Sequence, residues 1–209
     1  MRQLRALDLF TGLGGWLDGL VLEGFDVVGV EIDPKIAALN KHRVIVADVC
    51  ELNPEDFKGY DLIVGSPPCR NFSRIAIAGK NVWKVPPDPE GEGMRLVKAF
   101  INFVEVAQPR YWLMENVPGL QRYYGPAKTE TYISQTMKRC FWGNFPFFLV
   151  PRDFNKGILS GGRNRATGEI RKPTHKYDYS GKLRAWERAK IPLPVARALG
   201  VAVRQALEN

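Results

Sequence analysis

The group in this sequence best suited to covalent chemistry is Cys69, in the stretch Gly65-Ser66-Pro67-Pro68-Cys69-Arg70-Asn71-Phe72-Ser73. Two consecutive prolines can continue neither strand pairing nor a helix, so the backbone must turn sharply before the thiol. The run ahead of them, Asp61-Leu62-Ile63-Val64, is brief, β-branched and bounded by turn residues, as a buried strand is. A thiol just after a stiff turn at the end of a parallel strand sits where open α/β sheets keep their active sites. Taken alone, Cys69 is equally well a small buried hydrophobe. Four further groups could serve a site. Glu31 and Asp48 each close an apolar run and are placed to accept hydrogen bonds from an adenosine, through its ribose hydroxyls and base amino group; both could equally be helix caps. Glu115 and Asn116 follow a third such run, Trp112-Leu113-Met114.

The elements that must position these groups read as an α/β chain. Leu4 to Leu9 forms a first strand, and Phe10-Thr11-Gly12-Leu13-Gly14-Gly15-Trp16 is a glycine-rich turn into a helix reaching about Gly24. Closely spaced glycines let backbone approach a ligand without Cβ atoms in the way. The turn fails the dinucleotide pattern, because Leu17 stands at the third glycine position, and no Lys-Ser/Thr pair makes it a P-loop. Asp26 to Glu31 is the second strand; Asp33 then caps a helix from Pro34 to about Lys41. Arg43 to Ala47 is the third strand. Residues 74–93 carry Lys80, Trp83, Lys84 and several glycines and prolines without a sustained period, which reads as a long loop. Met94, Val97, Phe100, Ile101 and Val104 then recur at helical spacing over Glu92 to Ala107.

Composition limits the classes open to the chain. Its 209 residues suit one moderately large domain, 45% hydrophobic and 25% charged. No run is long enough for a bilayer, and Met1 to Leu4 leaves no room for a signal peptide, so a cytoplasmic protein is expected. Cys50, Cys69 and Cys140 are odd in number and widely spaced, which fits a reducing compartment and no disulfide framework. With only His42 and His175 to join them, they offer no structural zinc spacing, and no metal is expected. A net charge of +8 favours a polyanionic partner, nucleic acid first.

Together the glycine turn, the acid at the second strand end, Pro-Pro-Cys at the fourth and Glu115-Asn116-Val117 at the fifth resemble the cytosine-5 DNA methyltransferase family, from Leu4 to about Leu120. The resemblance implies a Rossmann-like S-adenosylmethionine-dependent fold: a mostly parallel sheet, helices on both faces and a small basic insertion. It implies S-adenosylmethionine held by Phe10, Gly12, Leu13, Gly14, Gly15, Trp16, Glu31, Ile32, Asp48, Val49 and Pro67. Cys69 becomes the nucleophile that adds to carbon 6 of a flipped cytosine, and Glu115 the residue at ring nitrogen 3. Asn116 braces the turn that presents Glu115, or makes a purely structural bond. Arg70, Ser73, Lys80, Lys84, Arg163 and Arg165 are the implied nucleic-acid contacts. Duplex DNA is the favoured partner, with the protein a monomer; RNA, a free nucleotide and a non-catalytic nucleic-acid-binding protein are the alternatives.

Beyond Leu120 the resemblance thins. The family's Gln-x-Arg-x-Arg segment has two candidates, Arg139 ahead of an aromatic stretch and Arg163-Asn164-Arg165 among glycines; Arg139 is favoured. Domain limits are expected at 1–150 for the catalytic part, 151–184 for a short basic recognition element and 185–209 for a returning helix. That helix follows Pro192-Leu193-Pro194 and carries Val195, Leu199, Val203 and Leu207 on one face.

Overall fold

A computed structural model describes residues 2–73, 86–132, 138–150, 186–187 and 189–208. Among these residues, seven strands form one sheet in the order β3-β2-β1-β4-β5-β7-β6. Strands β1 (Leu4–Leu9), β2 (Phe25–Glu31), β3 (Val44–Val46), β4 (Leu62–Gly65) and β5 (Tyr111–Asn116) are mutually parallel. At the far edge β7 (Lys138–Asn144) runs antiparallel to both β5 and β6 (Thr129–Tyr132). The expected Rossmann-like α/β methyltransferase architecture is the one found.

The sheet is buried on both faces because its strands send apolar side chains alternately to each. Leu7, Val28, Ile63 and Met114 join one apolar cluster with Val97, Phe100 and Val104 of α3 (Met94–Ala107). Ala6, Val27, Leu62 and Leu113 join the other, with Leu17 and Leu20 of α1 (Gly15–Leu22) and Val195 and Leu199 of α5 (Leu193–Glu208). The final helix therefore returns to the first, as its apolar face predicts. Their approach is close: a Cβ on Gly19 would lie 2.4 Å from that of Ala196.

Several bounds differ from the expectation. Helix α2 covers only Pro34–Ala37, although Asp33 caps it as expected by accepting from the Lys35 N–H at 2.9 Å. Strand β3 is confined to three residues. The aromatic stretch after Arg139 pairs only as far as Asn144, and Phe145 to Val150 adopts no regular structure. A short helix, α4 (Gln121–Tyr124), follows the Pro118–Leu120 turn. The 151–184 element lies outside the described residues.

Candidate active site

In a parallel sheet every loop leaving a strand's C-terminus emerges at the same edge, and here Glu31, Asp48, Cys69, Glu115 and Asn116 all lie at the C-terminal ends of strands or in the loops that follow them. After β1 the chain makes its glycine turn. Gly12 and Gly14 have φ of +54° and +75°, and a Cβ on Gly14 would sit 2.2 Å from Oδ1 of Asn40. Phe10 also holds a positive φ, of +70°, which a bulky residue adopts only where its surroundings enforce it. The enforcing contacts come from β2 and beyond. The Glu31 carboxylate accepts from the Gly12 N–H and the Asp33 N–H, both at 2.9 Å, and Asn40 Nδ2 donates to the Gly12 carbonyl at 2.6 Å. Glu31 thus braces the turn, and each of its oxygens retains one acceptor position. Asp48, half-buried, accepts from the Cys50 N–H at 2.9 Å. Leu13 is half-buried, Ile32 exposed and Pro67 buried at this edge.

Two residues expected at the cofactor are buried: Trp16 is 2% exposed in the apolar cluster that holds Leu17, Leu62 and Phe141, and Val49 is 7% exposed in the cluster that holds Ile63 and Met114.

Cys69 opens a single 3-10 turn, Cys69–Phe72, after the Ser66-Pro67-Pro68 exit from β4, and is half-buried. Its loop is tied to the next strand by Asn116, whose Nδ2 donates to the Pro67 carbonyl at 2.9 Å while its Oδ1 accepts from the Val117 N–H. One amide therefore joins the Pro-Pro-Cys loop to the Glu115 loop. Gly119 closes the same junction: a Cβ there would fall 1.9 Å from the carbonyl oxygen of Phe72.

Glu115 is 4% exposed at the end of β5. Phe141 of β7 lies opposite it in the ladder, so Arg139, two residues along, reaches it diagonally on the same face. Arg139 Nε stands 2.9 Å from Oε1 of Glu115, and this N–H is not aligned on the oxygen, so the contact is Coulombic. Burial raises the Glu115 pKa above the ordinary carboxylate value; the Arg139 charge and the nearby Ser66 hydroxyl pull it back. Burial also raises the Cys69 thiol, the negative charge of Glu115 raises it further, and Arg139 lowers it. Cys69, Glu115 and Arg139 thus form one electrostatic unit.

Three residues of this edge were not assigned from sequence. Asp8 is 1% exposed within β1, and neither carboxylate oxygen has a hydrogen-bond partner among the described residues. Burial and the nearby Glu31 push its pKa well up. A carboxylate inside an otherwise apolar strand was the available signal. Ser66 accepts from the Trp16 indole N–H at 3.1 Å. The ring of Trp186 lies against Gly12, its Cε3 3.2 Å from where a Cβ would be. Arg70 is exposed and Ser73 half-buried beside Cys69, while Lys80, Lys84, Arg163, Arg165 and residues 74–85 of the expected long loop lie outside the described residues. No group of three potential metal ligands occurs among those described.

Known proteins similar to this chain are methyltransferases. The Type II methyltransferase M1.HphI of Haemophilus parahaemolyticus is 28% identical over 190 residues, covering 82% of this chain and 49% of that protein. M.AquIA of Picosynechococcus is 25% identical over 201 residues, covering 82% and 77%. A solved structure described as a DNA modification methyltransferase of an E. coli prophage superposes with a TM-score of 0.51 at 26% identity, over 68% of this chain and 47% of that one. The chain spans about half the length of M1.HphI and of M.NgoFVII of Neisseria gonorrhoeae. The model of the C-5 cytosine-specific DNA methylases matches residues 4–144, which hold the glycine turn, Cys69, Glu115 and Arg139 in one sheet edge, and the chain belongs to that family.

Proposed function

We propose that this chain methylates carbon 5 of cytosine in DNA, with Cys69 as nucleophile and S-adenosylmethionine as methyl donor. The observation that carries the reading is the buried Glu115–Arg139 pair coupled to a thiol on the adjoining strand end. The cofactor edge fits a cationic ligand better than a phosphate. Asp8 and Glu31 are both buried there, and the Gly12 N–H that a phosphate would seek is already given to Glu31. Glu31, with an acceptor position left on each oxygen, would accept from the ribose hydroxyls of the bound cofactor, whose sulfonium would supply an electrophilic methyl group. The basic excess of +8 favours a polyanionic substrate.

Carbon 5 of cytosine is a weak nucleophile. Attack of the Cys69 thiolate forms a bond to carbon 6 and moves the ring electrons toward carbon 5 and nitrogen 3. Glu115, its pKa raised by burial, holds a proton against nitrogen 3 and so prevents charge from building on the ring. Neutralising Glu115 in this way also removes the negative charge that raises the thiol, leaving the Arg139 cation to favour thiolate. Nucleophile and acid therefore assist each other. Once carbon 5 carries the methyl group, loss of its proton returns an electron pair to the ring and expels the Cys69 sulfur.

The test is methyl transfer from radiolabelled S-adenosylmethionine to DNA, transfer RNA and dCMP, with Cys69→Ser alongside. Label in DNA that requires Cys69 supports the reading. Label in RNA or dCMP alone would move the substrate, and a 5-fluorocytosine adduct on any other residue would overturn the mechanism.

A further inference from the structure

Helix α4 sits against the catalytic turn. The Tyr123 ring lies 5.7 Å from that of Phe72, the last residue of the Cys69 turn, and Gly119, just before the helix, abuts the Phe72 carbonyl. Three of the four side chains in this short element are committed. Gln121 donates to Glu130 at 2.8 Å and accepts from the Ala127 N–H at 3.1 Å, Tyr123 packs on Phe72, and Tyr124 meets Trp142 edge-on at 6.2 Å. The fourth, Arg122, is exposed, with its guanidinium over the Tyr123 ring at 5.9 Å. A cation is thus mounted on a fixed base beside the nucleophile's turn.

Its charge is uncompensated. Arg43, Arg95, Arg139 and Arg197 each stand against a carboxylate, whereas Arg122 has no acid at ion-pair distance among the described residues. Glu130, the acid bonded to this helix, is shared between Gln121 and Lys138. A guanidinium offers five donors in a planar fork that matches carboxylate or phosphate oxygens, and stacking on a ring face leaves the edge of the fork open. In a chain of net charge +8 acting on a polyanion, the partner that fits is a phosphate.

We propose that Arg122 contacts a backbone phosphate of the bound nucleic-acid strand at the mouth of the Cys69 site. The proposal rests on the reading of the chain as acting on DNA. It adds to Arg70 a second exposed arginine beside the nucleophile, supplied by the segment that follows β5. Such a contact sets the register of the strand on the protein without reading its bases. Arg110 supplies the control. It is exposed, has no described carboxylate at ion-pair distance, and stands immediately before β5 at the opposite edge of the sheet, about 17 Å along the strand from Glu115. Removing either arginine lowers the net charge equally, so position alone separates them.

The experiment is fluorescence anisotropy of a labelled DNA duplex with the full chain, between about 50 and 200 mM salt. One phosphate contact contributes about 0.9 to the slope of log affinity against log salt, which near 0.1 M corresponds to roughly eightfold in affinity. Arg122→Gln should lower the slope by about one and weaken binding roughly eightfold, Arg122→Lys should keep the slope, and Arg110→Gln should change neither. Equilibrium dialysis should show the same S-adenosylmethionine binding in all four proteins. An unchanged slope in Arg122→Gln, an equal change in Arg110→Gln, or cofactor binding that falls in step with DNA binding overturns the proposal. If the parent binds transfer RNA and not the duplex, and Arg122→Gln lowers the slope for RNA, the phosphate contact stands and the DNA reading falls. A parent that binds neither overturns both.

Discussion

Replacing Arg139 by methionine isolates the electrostatics of the site. The variant keeps a long apolar stem but removes the cation 2.9 Å from Glu115, where both side chains are less than a tenth exposed. At an effective dielectric of ~20 such a pair interacts by about 6 kcal/mol, before the cost of desolvating either partner. Stripping one partner from a buried pair costs about 3–5 kcal/mol if the other stays charged. Glu115 has a cheaper route, which is to take up a proton. From its ordinary value of 4.5, that route costs ~3.4 kcal/mol at pH 7 and ~1.4 kcal/mol at about pH 5.5. Protonation therefore sets the ceiling on the loss at each pH.

Burial already raises Glu115 and Arg139 opposes it, so removing Arg139 raises it further. A carboxyl whose folded pKa exceeds its unfolded one binds more protons when folded. Stability is then greatest below the ordinary carboxylate range and falls as pH rises toward the folded value. Urea unfolding of Arg139→Met should show a deficit of up to about 3 kcal/mol at pH 7 that shrinks to about 1 kcal/mol at pH 5.5. In a Glu115→Gln background most of that pH dependence should vanish. An equal deficit at both pH values, or one equally pH-dependent without the carboxyl, would refute the reasoning.

Gly119→Ala should force the Cys69–Phe72 turn to yield by roughly an ångström, costing about 1–3 kcal/mol of stability and about 100-fold in adduct formation with 5-fluorocytosine DNA. Thermal unfolding and adduct kinetics measure the two; full activity at parental stability would contradict the close approach. Glu115→Gln removes the negative charge that raises Cys69, so the thiol pKa should fall and iodoacetamide should alkylate Cys69 faster at about pH 8.5, even as methyl transfer is lost. Asp8→Asn removes a buried carboxyl that lacks a described partner and should stabilise the cofactor-free protein by about 1–3 kcal/mol at neutral pH. The gain should shrink on acidification, because the parent Asp8 is then protonated without cost. Equilibrium dialysis should show that this variant binds S-adenosylmethionine more weakly.

The local patterns carried most of the fold. Leu4–Leu9, Phe25–Glu31 and Tyr111–Asn116 are short apolar runs between turn residues, and α3 repeats its apolar side chains at helical spacing, so each element announces itself within one window. Strand β6 does not. Thr129-Glu130-Thr131-Tyr132 is polar because it lies at the sheet edge, and only pairing with β7 makes it a strand.

The sequence by itself determined the inventory of the site: a thiol after two prolines, an acid beside an asparagine, and a glycine turn fitted to neither phosphate motif. Those are properties of residue type and near neighbours. Tertiary structure decided which of them meet. Arg139 comes to Glu115 because the β5–β7 register places it there, and one residue of slip would send it to the opposite face. The structure turned Trp16 inward, so that its N–H serves Ser66, and committed Glu31 to the backbone of the turn beside the buried Asp8. Such contacts join residues 19 to 50 positions apart. Their existence depends on how helices and strands stack, which no local window of sequence contains.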